Sequence, residues 1–205
     1  MKIIFANSLQ RISETSSHLK AAHTLANNGQ YERSISERTL ISEACFLNLF
    51  ITLEEFLEAS FAHYLVGKMS TARWRPSRFA KPTSLEHAQR MLIGSQRFVD
   101  WSTPDTVLKF ADLYFLGGEP FRTPLAGAKS HLQGMKTVRN STAHLSSTTR
   151  AALDGLYSRW TGTPSSGITA YEMLMARGVQ SQNTFYGTSE QVVQAIIASV
   201  ANRSS

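Results

Sequence analysis

Residues 34–68 constrain the fold more than any other part of the chain. They read as one long helix whose apolar positions, Leu40, Cys45, Phe46, Leu49, Phe50, Leu53, Phe56, Leu57, Phe61 and Leu65, cover most of its circumference. A helix that is apolar nearly all round is buried from several sides, so other helices must surround it. At 100° per residue Glu54 falls among Leu47, Phe50, Leu57 and Phe61, which sends a carboxylate along an apolar face. Such an acid needs a partner. An ion pair with a buried Arg or a cap on a neighbouring backbone meets that need, and so does a supporting role in chemistry.

The surrounding segments also read as helices. Residues 2–26 carry Ile4, Leu9, Ile12, Leu19 and Ala22 on a rough stripe and stop at Asn27-Asn28-Gly29, a helix-ending cluster. Ser84 caps a helix running to about residue 101. Thr103-Pro104-Asp105 and Thr123-Pro124 each set a hydroxyl before a Pro at the first helical position, with Gly117-Gly118-Glu119-Pro120 as the break between the two. The helix from Pro124 turns Leu132, Met135 and Val138 inward. Ser146-Ser147 caps the next, to about residue 160, with Ala152, Leu156 and Trp160 inward. A short helix near 168–176 and a last one opened by the capping-box pattern Thr188-x-x-Gln191 complete the chain. Strand patterns are nearly absent, so the fold class is all-α. The 205 residues are read as a single domain, with a core over 34–160, an N-terminal accessory helix over 1–30 and a C-terminal helical extension over 161–205.

Composition narrows the chemistry. Cys45 stands alone in an apolar stretch, which excludes a disulfide framework and a Cys-based zinc site. Catalysis would have to come from His, Arg, acids or hydroxyls. No apolar run reaches membrane-spanning length, and Met1-Lys2-Ile3-Ile4-Phe5-Ala6-Asn7 turns polar too early for a signal peptide. The expectation is a cytoplasmic protein with no membrane partner. A formal charge of +6 favours an anionic partner such as nucleic acid.

Within that frame Arg139-Asn140-Ser141-Thr142-Ala143-His144 carries the most chemistry: a phosphate clamp, a polar side chain and a proton-transfer group in six residues. The string alone is weak, because 14 Arg and 6 His give about one chance match to Arg-x(4 to 6)-His, and Arg11 with His18 is a second match. Context separates them. Lys136, Asn140 and His144 are spaced i, i+4, i+8 and form a polar stripe opposite Leu132, Met135 and Val138, with Arg139 flanking it. Arg139 and His144 diverge by about 140° on an ideal helix, so either the helix loosens near Ser141 and Thr142 or the Arg side chain swings round. The Ser146 cap puts His144 in a last helical turn, where the dipole favours the imidazolium and a His can serve as base or acid. Arg11 and His18 sit on a helix rich in Ser, Thr and Glu and read as solvated surface groups. Basic residues, His and Asn also end helices for purely structural reasons, and that reading stands beside the catalytic one.

Residues 69–83 form a Pro-interrupted loop in which Arg73, Arg75 and Arg78 alternate with Trp74 and Phe79. That composition suits single-stranded RNA, with Arg on phosphates and an aromatic ring under a base. It equally suits a surface loop pinned to the core by its aromatics.

The motif V-R-N-S-T-A-H-L-S-S, the central T-L-E-E-F-L-E-A-S-F and the segment L-G-G-E-P-F together resemble the HEPN superfamily of helical ribonucleases and nucleotide-binding domains. The likeness is nearest to prokaryotic RiboL-PSP-associated HEPN domains and spans about residues 38–160. It implies a HEPN-like bundle with a long central helix and accessory terminal helices. It also implies an endoribonuclease that needs no metal or other cofactor, takes RNA as its partner and works as a homodimer. On this resemblance Arg139, Asn140 and His144 are the catalytic residues, Glu54 is a supporting acid, and Lys136, Arg73, Arg75 and Arg78 bind RNA. A toxin or phage-defence role follows from the family, with an antitoxin or defence-system protein as a further partner. The family's His-x-Tyr ending, a target of nucleotide transfer, is not met, since Leu145 and Ser146 follow His144. The other reading is a non-catalytic module that binds RNA, a nucleotide or a protein.

Overall fold

A computed structural model describes residues 1–94, 99–143, 146–179 and 181–204. Among them the chain is all-helical: α1 (Lys2–Ala22), α2 (Ile35–Leu65), α3 (Leu85–Ile93), α4 (Pro104–Tyr114), α5 (Arg122–Ala143), α6 (Ser147–Thr161), α7 (Ala170–Met175) and α8 (Phe185–Ala201), with a 3-10 turn at Leu116–Gly118. No strand occurs among the described residues, only three isolated bridges. No helix of those residues is long and apolar enough to cross a membrane.

The long helix is present as α2, and its apolar girdle is nearly all buried, Phe46, Leu49, Phe61 and Leu65 being fully so. Leu40 is the exception, 71 % exposed in the second turn. A capping box starts the helix: the Ser34 amide donates to Glu37 Oε2 (2.9 Å) and the Glu37 amide to Ser34 Oγ (3.3 Å). It stops three residues before 68, where Gly67 takes φ +84° and its amide donates to the Tyr64 carbonyl (2.9 Å).

Other boundaries move for local reasons. Helix α1 ends at Ala22 and not near 26, because the backbone of Thr24 and Ala26 is claimed by Glu32 and Gln30 across a tight turn. Helix α3 is capped by Ser84 as expected, its Oγ accepting from the His87 amide (3.0 Å), but stops at Gly94 with φ +57°. The expected continuation toward 101 runs through residues 95–98, which lie outside the described residues. Pro104 opens α4, yet the Thr103 hydroxyl donates to Asp100 Oδ2 (2.6 Å) and caps nothing. Helix α5 begins at Arg122, so Thr123 lies inside it with its hydroxyl bonded to Glu119. In α6 Leu156 is buried as expected and Leu153 joins it, while Trp160 is half-buried and Ala152 exposed. The capping box of the tail is Thr169 with Glu172, ahead of α7; Thr188 lies within α8, whose first turn is held by Thr184 Oγ1 accepting from Gly187 (3.1 Å).

The chain divides into two compact units, each assembled from separated stretches. The first comprises Met1–Leu9, Thr52–Gln133 and Val192–Ser205. An aromatic cluster fills it: Phe61 stacks on Phe121 at 3.8 Å between centroids and meets Trp101 and Phe115 at 5.0 and 5.5 Å. Tyr64 joins edge-on, its hydroxyl donating to the Val200 carbonyl (2.6 Å). Burying a Phe side chain is worth about 1.5–3 kcal/mol, and Phe61, Phe115 and Phe121 each contribute on that scale.

The second unit comprises Gln10–Ile51 and Gly134–Gln191. Phe46, Leu49, Met135, Val138, Met173 and Leu174 form its core. Gly134 allows close approach here, since a Cβ at that position would lie 3.2 Å from Leu156 Cδ1 and 3.4 Å from Phe185 Cζ. The Asp154 carboxylate accepts from the amides of Gly167 (3.1 Å) and Ile168 (2.9 Å), which fixes the turn leading into α7. The Trp160 indole donates to the Ala176 carbonyl (2.9 Å) at the other end of that helix.

Candidate functional site

Arg139 to Ala143 of the motif occupy the end of α5. Leu132, Met135 and Val138 are buried as the spacing predicts, and Ser141 joins them. The helix stays α-helical through Ala143, so it does not loosen at Ser141 and Thr142. The two hydroxyls instead fold back on it, Ser141 Oγ donating to the Val138 carbonyl and Thr142 Oγ1 to the Arg139 carbonyl, both at 2.7 Å. Arg139 is exposed and its Nη1 donates to Asn140 Oδ1 (3.3 Å), which joins the clamp and the polar residue after it into one surface feature. Asn140 and Lys136 are half-buried. His144 and Leu145 lie outside the described residues.

The other candidates are distributed differently. Glu54 is half-buried on α2, in the first unit, together with Arg73, Arg75 and Arg78. Arg78 braces a helix end. Its Nη1 donates to the Leu65 carbonyl (2.6 Å) at the close of α2, and its guanidinium lies against Gly67, where a Cβ would come within 2.6 Å of it. Arg73 and Arg75 are exposed, Arg73 with φ +63°, while Trp74 is half-buried against Tyr64 and Phe79 is 64 % exposed. Of the second Arg/His pair, His18 is exposed but Arg11 is half-buried, so the latter is not the solvated group its helix suggests.

In the second unit a cavity of about 720 Å³ opens beside the last turn of α5. Ser141 and Thr142 form one wall, Ile35, Thr39 and Glu43 of α2 another, Thr149, Arg150 and Leu153 of α6 a third, and the segment from Gly167 to Glu172 closes it. Tyr171 is held from behind. Its hydroxyl lies 3.2 Å from Arg38 Nη1 and 3.4 Å from His23 Nε2, and the two rings stack with an interplanar angle of 8°. His23 Nδ1 is 3.0 Å from the Leu19 carbonyl and donates to it, so in the neutral ring Nε2 accepts from Tyr171 while Tyr171 accepts from Arg38. The Arg38 guanidinium also rests 3.7 Å above the Tyr31 ring. Burial pushes the Glu43 carboxyl above its ordinary pKa, partly offset by the Tyr171 backbone amide.

None of Glu43, Tyr171, Arg38 or His23 stands out in the sequence, because the cavity draws on stretches more than a hundred residues apart. The available signal was Glu43 itself, an acid just ahead of the apolar run A-C-F-L. Among the described residues no group of three or more His, Cys, Asp or Glu converges as a metal site. Comparison with protein-family models, curated proteins and solved structures gives no match.

Proposed function

We propose that the chain is a metal-independent endoribonuclease of the HEPN kind, acting in the cytoplasm as a homodimer. The observation that carries the reading is the exposed Arg139, hydrogen-bonded to the half-buried Asn140, on a helix whose inner side is buried, with His144 following four residues after Asn140 in the sequence. Cutting RNA without metal requires a base for the 2′-hydroxyl proton, an acid for the 5′-oxygen and cations for the phosphorane charge. One chain supplies one His144 and one Arg139. A twofold dimer with the motifs at its axis supplies two of each, so one His144 serves as base and the other as acid while Arg139 grips the scissile phosphate through forked hydrogen bonds. Asn140 orients the guanidinium. Glu54 is a supporting acid of the central helix, and the RNA-binding cations are Lys136 in the second unit and Arg73 and Arg75 in the first. Such an enzyme fits a toxin or phage-defence effector held in check by an antitoxin or a companion protein.

The test is cleavage of a fluorescent single-stranded RNA by the purified protein with EDTA present. Cleavage should persist in chelator, and Arg139→Ala and His144→Ala should each lower the rate by roughly 10²- to 10⁴-fold. Arg139→Lys should not restore it, because an ammonium lacks the guanidinium fork. Strict dependence on a divalent metal would overturn the mechanism. A protein that retards RNA in a gel yet never cuts it would replace this reading with that of a binding module.

A further inference from the structure

The geometry points to the cavity of the second unit as a binding site for a small organic cation, an amine or guanidine carried on an apolar body. Its volume of about 720 Å³ falls in the range of roughly 300–1,000 Å³ typical of small-molecule sites. Its walls combine apolar surface from Ile35, Leu153 and Ile168 with the polar residues Thr39, Thr142 and Glu43. Few polar groups converge on an otherwise apolar space, which is the pattern that orients one end of a ligand and desolvates the other.

Charge decides the class. Glu43 lines the cavity half-buried, and its partner among the described residues is a single backbone amide, that of Tyr171. A carboxylate has room for about four hydrogen bonds, so most of its accepting capacity is left for a ligand in the cavity that it lines. Desolvation works against its charge, and a cation seated beside it would reverse that penalty. The other ionic groups on the wall do not compete. Glu172 is committed to the capping box with Thr169, and Arg150 is exposed at the start of α6, where water screens it. The ring of Tyr171, fixed by Arg38 and His23, offers a preformed aromatic wall to the ligand's body. Arg139 is not among the described residues that line this site, and the assignment does not depend on RNA cleavage.

The experiment uses three probes of one shape: 1-naphthylmethylamine, 1-naphthylmethanol and 1-naphthoate, titrated into the wild-type protein at neutral pH by calorimetry or ligand-observed NMR. The amine should bind about tenfold or more tightly than the alcohol, the margin of a charge-assisted hydrogen bond, and the naphthoate should be weakest. In Glu43→Gln the amine should fall to the level of the alcohol, with the alcohol unchanged. Thr39→Phe, which fills the cavity, should abolish binding of both. Absence of binding by every probe, equal binding of amine and naphthoate, or an amine preference that survives Glu43→Gln overturns the assignment. The wild-type ranking decides by itself should a variant fail to fold.

Discussion

His131 lies half-buried on α5, and burial lowers its pKa from 6.5 to about 4. The folded protein therefore resists a proton that the unfolded chain takes up near pH 6.5. Stability linked to this group is fully present above pH 6.5 and is lost progressively as the pH falls to about 4. Each tenfold change in proton affinity is worth about 1.4 kcal/mol, so the full loss is roughly 3 kcal/mol, a large share of a typical net stability of about 5–15 kcal/mol. Burial lowers His63 in the same direction, so the wild-type pH profile alone does not isolate His131. Urea unfolding of the wild type and of His131→Gln, followed by circular dichroism between pH 8 and 4, does. The wild type should lose about 3 kcal/mol more than the variant over that interval, whatever offset the variant shows at pH 8. Parallel profiles would refute the argument, because they would mean that the imidazole is as easily protonated in the fold as outside it.

Two further predictions concern stability. Phe61 is fully buried among Phe121, Trp101 and Phe115, so Phe61→Ala should cost about 3–5 kcal/mol in urea unfolding. Gly117 and Gly118 have φ of +66° and +69°, but only Gly118 is crowded: a Cβ there would lie 2.6 Å from Asp112 Oδ1 and 3.0 Å from Arg122 Cβ. Gly117→Ala should cost about 1–2 kcal/mol for backbone strain alone, and Gly118→Ala about 1–3 kcal/mol more for overpacking; equal losses would show that the neighbours yield freely.

The parts of the fold that were legible are those written in local chemistry. Ser84 and Ser146 cap helices because a hydroxyl ahead of an apolar repeat has little else to do, and Pro104 opens α4 because its missing amide is harmless there. Where a second partner competes, the local signal misleads. Thr103 and Thr123 look like caps, yet Asp100 and Glu119 take their hydroxyls. The capping box belongs to Thr169 and Glu172 and not to Thr188, because both patterns satisfy the same spacing and only packing chooses between them. The Arg139–Asn140 pair was readable from its helix face, whereas the cavity was not, since no short window contains both Glu43 and Tyr171.

The loop that carries Arg73, Arg75 and Phe79 is tied down along its length. Ser70 Oγ donates to the Arg203 carbonyl (2.7 Å), the Thr71 amide to the Ala201 carbonyl (2.9 Å), Arg78 to the end of α2, and the Phe79 amide to the Tyr114 carbonyl (3.0 Å). Immobilising a backbone on binding costs about 1–2 kcal/mol per residue, and folding has already met that cost here. A polyanion arriving at these cations would have to order only their side chains, so binding should be fast and its entropy loss small, and cutting the Arg78 tether should weaken it without removing a single exposed charge.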